Sequence, residues 1–218
     1  MVYSKERLDG FVLDIEFLLI SVIQGIALTF LATYAIDPLM KLDFAVWPYI
    51  FSAFLFILLF WSQSIVHALS FIDWPLNLTH GFLYFLTSFL EVLAFSQINN
   101  PIHWFGVGVI FFIVAGCMYT VDLYMIASRK KNFSTPTQQV LYMHTYKQQK
   151  RELLIVVPIG ILFTFGSVLL LHFLPDIFIV HGYYPILGIV QFVFTFLLLI
   201  ISIHNFKKRA FLISKCME

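Results

Sequence analysis

Along this chain, hydrophobic and polar positions segregate into whole segments rather than single residues. Six long apolar runs, approximately 17–36, 46–71, 79–98, 104–127, 153–174 and 183–206, are separated by short polar breaks. A helix needs roughly 20 apolar residues to cross about 30 Å of hydrocarbon, so each run predicts one transmembrane helix. Hydrophobicity is continuous within each run, which excludes the two-residue alternation of a membrane β-barrel. The breaks carry helix-stopping residues: Asp37-Pro38 to Asp43, Asp73-Trp74-Pro75, Asn99-Asn100-Pro101 and Pro175-Asp176. Connections this short predict that consecutive helices are antiparallel neighbours. The expected fold is all-α: a polytopic membrane protein with a single six-helix transmembrane domain spanning residues 1–218.

Composition agrees, with 61% of residues hydrophobic and too little chain between the runs for a soluble domain with its own core. Charge adds an orientation. Between Phe17 and Ala127 the only lysine or arginine is Lys41. Six crossings put both termini on one side, together with the 128–152 connection, and that side holds twelve of the 13 basic residues. The positive-inside rule makes it the cytoplasm, giving an integral multi-pass protein with both termini cytoplasmic. Asp14 and Glu16 at the head of the first run mark it as a retained span rather than a cleaved signal. Cys117 and Cys216 predict no disulfide.

The partner implied first is the lipid bilayer, and no feature calls for nucleic acid. In the 128–152 segment Phe133, Val140, Leu141, Tyr142 and Tyr146 stand among basic and amide residues, which predicts an amphipathic element lying on anionic lipid headgroups. Docking of another membrane subunit is its alternative role. Trp47, Tyr49, Trp74, Trp104, Tyr183 and Tyr184 fall at span ends, where amphipathic rings anchor at the interface.

Polar groups inside hydrocarbon face the bundle or a water-filled path. In the first run Ser21, Gly25, Thr29 and Thr33 are four apart, with Gln24 beside them. Such a face either lets helices approach closely or lines a hydrated conduit. The last run repeats the theme in Gly188, Gln191, Thr195 and Ser202. Glu91 lies about twelve residues from the cytoplasmic end of its run, or roughly 18 Å deep at 1.5 Å per residue. No lysine or arginine shares that depth, and desolvation disfavours its charged form, so Gln24, Gln63 and Tyr119 are its expected partners. The candidate pathway residues are therefore Ser21, Gln24, Gly25, Thr29, Thr33, Glu91, Gln191 and Thr195, with His67 and Asp122 as a polar pair nearer the cytoplasm. No histidine or cysteine spacing suits a metal, and nucleophile-elbow, phosphate-loop and dinucleotide patterns are missing. The sequence thus points to no cofactor, metal ligand or catalytic residue, and leaves enzymatic activity open.

Six helices with cytoplasmic ends, a longer basic connection after the fourth, and the opening Arg7-Leu8-Asp9-Gly10-Phe11 together resemble the small prokaryotic members of the lysosomal-type potassium channel family. Helix 1 of that family opens Arg-x-x-x-Phe-Ser-Asp and lines a tetrameric pore. Here Val12-Leu13 replace Ser-Asp, Asp14 follows one position late, and Trp61 and His67 match the aromatic-plus-histidine end of helix 2. The resemblance implies a homo-oligomer forming an ion- or proton-conducting pathway. A non-catalytic anchoring or regulatory subunit of a larger complex is the second reading, and a small-solute carrier or membrane enzyme the third.

Overall fold

The computed structural model describes the backbone of residues 5–70 and 78–217, and their side chains apart from 5–13, 16, 66–70, 78, 132 and 217. The Asp73-Trp74-Pro75 break and the side chains of the Arg7-to-Phe11 opening lie outside the described residues. The apolar runs are helices: α1 (Lys5–Met40), α2 (Trp47–Ser70), α3 (Leu78–Ser96), α4 (Pro101–Ser128), α5 (Pro136–Arg151), α6 (Val157–Phe173) and α7 (Tyr184–Met217). Among the described residues, five stretches, in α1, α2, α4, the continuous α5–α6 rod and α7, are long and apolar enough to cross a membrane, so the chain is an integral, multi-pass membrane protein. The third expected span is the 19-residue α3, whose Thr87, Ser88 and Glu91 make it more polar; it packs between α1 and α4.

Local chemistry sets the boundaries. Asn100 caps α4 by accepting a hydrogen bond from the His103 N–H, and Pro101 occupies the first turn, where its missing N–H costs nothing. Thr135 and Gln138 form a reciprocal capping box at the start of α5. The α1–α2 connection turns through Leu42, held at φ 54°.

Glu152–Val156 is a π-helical turn joining α5 to α6, so Pro136–Phe173 forms one rod of 38 residues. Pro158 cannot donate a backbone hydrogen bond, and the wider turn absorbs that loss; the Val157 N–H bonds back five residues to the Glu152 carbonyl. The extra residue also corrects the register. Thr145, Gln148, Gln149 and Glu152 are buried on α5 and the turn, then Val157, Gly160, Thr164, Ser167 and Leu171 on α6. The five-residue step from Glu152 to Val157 keeps both sets on one face.

Packing follows the order α7–α2–α1–α3–α4–α6, an open ring of six helices. Antiparallel neighbours were expected throughout, yet α1 stands between α2 and α3, and α6 packs along α4 and α7 along α2 rather than on each other. The connection is longer than Pro175-Asp176 implied, because it holds a further π turn, Asp176–Val180, and Gly182 at φ 74°. At the Asn100 end the ring is pinched shut by a core containing Tyr49, Phe95, Trp104, Phe105, Leu171 and Leu187. The Tyr49 hydroxyl donates to the Tyr184 carbonyl at 2.8 Å, and its ring stands edge-on to Trp104 and Phe105. Tyr49 and Trp104 are thus core residues rather than interface anchors, since their polar atoms find partners inside the protein. At the basic end α5 bridges α4 and α7. The 128–152 segment therefore does not lie as a separate surface element: most of it prolongs α6, with Leu141, Tyr142 and Thr145 buried and Lys147, Lys150 and Arg151 exposed.

Candidate functional site

The residues singled out from the sequence fall into three places. Gln24 is buried on the inner face of α1, among Ile20, Ile23 and Ala27. Ser21, Gly25, Thr29 and Thr33 are exposed on the outer face, and no atom lies within 4 Å of where a Gly25 Cβ would sit. The Thr29 and Thr33 hydroxyls donate to the carbonyls of Gly25 and Thr29 at 2.8 and 2.9 Å. Among the described residues, the stripe thus lies on the exposed side of α1. On α7 the corresponding face is turned inward. Gly188 lies against Tyr49 and Pro48, with its absent Cβ 2.9 Å from the Tyr49 ring, while Gln191 and Thr195 are buried. Gln191 Oε1 accepts from the Trp104 indole at 2.7 Å, and Thr195 donates to the Gln191 carbonyl at 2.8 Å. Gln191 thus joins α7 to α4, Thr195 is buried and bonded within α7, and both lie apart from the exposed α1 stripe.

Glu91 is 4% exposed and Gln24 5%. They lie side by side, yet among the described residues neither Glu91 oxygen nor either polar atom of the Gln24 amide closes a hydrogen bond of good geometry. Gln63 bonds Ser202 on α7 at 2.9 Å and is not the partner of Glu91. Glu91, Thr164 and Gln191 line a cavity of about 40 Å³. Buried polar groups are ordinarily satisfied, and Glu91, Thr164 and Gln191 are the polar side chains that a water in this otherwise apolar cavity would bond.

A second polar cluster occupies the basic end of the ring. Asp122 Oδ1 is 3.2 Å from His80 Nε2, and Asp122 Oδ2 accepts from Gln149 at 3.1 Å. Asp122 therefore pairs with His80; the side chain of His67, its expected partner, lies outside the described residues. Arg209 donates to Gln148 Oε1 at 2.6 Å, and Gln148 donates to Glu152 Oε1 at 2.8 Å. Asp122, Gln148, Gln149, Glu152 and Arg209 are all buried. Helices α3, α4, α5 and α7 are thus tied through polar atoms that would be costly to bury alone. Except for Asp122, sequence reasoning missed this cluster. The available signal was Gln148, Gln149 and Glu152 falling on one helical face within a segment read as superficial.

Above this cluster the ring encloses a cavity of about 410 Å³. Its body is apolar, with Phe56, Phe60, Phe111, Phe112 and Phe194 in the wall, and its polar end holds His80, Tyr119, Asp122, Gln149, Arg151 and Glu152. Phe56, Phe111 and Phe112 also line the small Glu91 cavity, so an aromatic wall separates the two. Phe112 reaches this position because Gly160 has no side chain; a Cβ there would lie 2.5 Å from the ring. Among the described residues no three His, Cys, Asp or Glu side chains are grouped to hold a metal ion. No family model, curated protein or solved structure matches the chain.

Proposed function

We propose that this chain is the subunit of a homo-oligomer that conducts ions or protons along α1, with α3 as a sixth crossing and both termini cytoplasmic. The carrying observation is the outward Ser21-Gly25-Thr29-Thr33 stripe, a run of small and hydroxylated residues left free by a helix whose opposite face is closed against α2 and α3. A path through one subunit meets the wall of Phe56, Phe111 and Phe112. A path between subunits, around a symmetry axis, meets the stripe. The resemblance of Arg7-to-Phe11 to the opening of a pore-lining helix supports the same assignment. Glu91 and Gln24 stand behind the stripe, where a carboxyl group with water access would tune selectivity or proton dependence.

The test is flux through purified protein in liposomes. Gly25→Leu and Thr29→Leu are expected to reduce it by narrowing the path, and Glu91→Gln to keep the fold while altering dependence on pH. Absence of flux from well-folded wild type would end this reading. The weight then moves to an anchoring or regulatory subunit that uses the exposed Lys147, Lys150 and Arg151, whose headgroup or protein contacts a vesicle-binding assay would separate.

A further inference from the structure

The rings of Phe56, Phe111 and Phe112 stand between two cavities of unequal kind. The larger, of about 410 Å³, is open: Leu19, Phe85, Arg151 and Ile155 line it and are exposed. The smaller, of about 40 Å³, has no exposed residue in its lining. It holds Glu91, a carboxyl group that is 4% exposed and closes no hydrogen bond of good geometry among the described residues. One water needs roughly 10–15 Å³ of such space, so the smaller cavity can take up water given a way in. The aromatic wall is what the two cavities share.

Within that wall Phe112 differs from its neighbours. Phe56 and Phe111 are half-buried, with ring centroids 6.3 and 5.6 Å from that of Phe112. Phe112 is 7% exposed and reaches from α4 to α6, where its ring lies so close over Gly160 that a Cβ there would be 2.5 Å away. On its other side is space. An apolar cavity of about 150 Å³ is enough to take up benzene, and the larger cavity exceeds this and is lined by Phe112 and, one turn along α4, by Ala115. A phenylalanine on a helix has two ordinary χ1 settings, about 180° and about −60°, so the ring can change place while the α4 backbone stays. We propose that Phe112 is a swinging gate. Seated on Gly160, its ring closes the Glu91 cavity; turned toward Ala115, it lets water and small polar solutes pass from the larger cavity to Glu91. The gate deepens the reading of Glu91 above by naming its source of water. It is a property of one subunit, so its test needs no flux.

Thiol reactivity supplies that test. In a Cys117→Ala, Cys216→Ala background, Thr164→Cys places a reporter in the smaller cavity, at a position 1% exposed. Purified protein in nanodiscs is treated with methyl methanethiosulfonate, a small uncharged thiol reagent that has access to both faces. The reporter should react far more slowly than a cysteine at the exposed Gly25. Phe112→Ala should speed it about tenfold or more, since an open state populated at about 10% or less becomes permanent; should that variant fail to fold, Phe112→Leu is expected to act in the same direction. Ala115→Trp, or Ala115→Leu if the larger residue is not tolerated, fills the space that receives the ring and should slow the reporter further. A reporter as reactive as the Gly25 cysteine would show that the cavity is not closed and overturn the proposal. So would a rate unchanged by both Phe112 variants, and so would acceleration by Phe111→Ala equal to that by Phe112→Ala, which would assign closure to the wall as a whole. Unchanged reactivity in the Ala115 variants would overturn the swing into the larger cavity. Flux along α1 can be present or absent without altering any of these rates.

Discussion

Glycines of one chemical type divide here by what surrounds them. At Gly160 an added methyl would sit 2.5 Å from the Phe112 ring, whereas at Gly25 it would meet nothing within 4 Å. Gly160→Ala is expected to destabilise the protein by about 1–3 kcal/mol, the usual cost of overpacking. Gly25→Ala should leave the subunit unharmed and stabilise α1 by up to about 1 kcal/mol, and thermal unfolding in mild detergent compares the two directly. An opposite ranking would show that Phe112 does not rest on α6. Leu42 offers a third case, because its φ of 54° strains any residue with a Cβ. Leu42→Gly should therefore stabilise the fold by on the order of 1 kcal/mol, read as a higher unfolding temperature. The buried Trp104–Gln191 bond gives the reverse sign. Gln191→Leu leaves the indole N–H without its acceptor and should cost about 1–3 kcal/mol.

At the scale of elements, the α5–π–α6 rod is the part on which the rest is aligned. Deleting one residue from the π turn, for example Leu154, would rotate the buried face of α6 by about 100° relative to that of α5. Folded protein in detergent should then be lost, whereas Thr135→Ala at the α5 cap should cost only about 0.5–2 kcal/mol; size-exclusion profiles of the two variants check the contrast. The sequence made the helices themselves legible, with the apolar run at 46–71 becoming Trp47–Ser70 and that at 104–127 becoming Pro101–Ser128. It did not reveal which side of α1 faces inward. Ile20, Ile23, Ala27 and Leu31 are no more apolar than the exposed Leu18, Val22 and Ile26, because lipid and protein interiors make similar demands on a side chain. Nor did it reveal the Asp122–His80 pair, since the two residues lie on different helices and only tertiary packing brings them together. The burial of Gln148 and Gln149 was hidden for another reason. Two amides beside three basic residues read as a solvated surface until two neighbouring helices supply Arg209 and Asp122.

For the whole molecule, the proposed orientation predicts that cysteines introduced near Lys130 and Lys208 are shielded from an impermeant thiol reagent in intact cells, while one at Asn100 is labelled. Labelling of both basic sites from outside would invert it. The structure already gathers α5 and the Arg209 region of α7 at one end and the Asn100 cap at the other, so the three positions report on two faces. The pairing of α7 with α2 also shapes how the chain is made. Tyr49 waits for Tyr184, 135 residues later, and Gln63 for Ser202, 139 residues later. At about 5–20 residues per second of synthesis, α2 remains in the membrane for roughly seven to thirty seconds before its main neighbour emerges from the ribosome. During that interval the groove that will receive α7 must be lined by lipid or by a guardian protein, and the nascent chain is vulnerable to quality control until its last helix arrives.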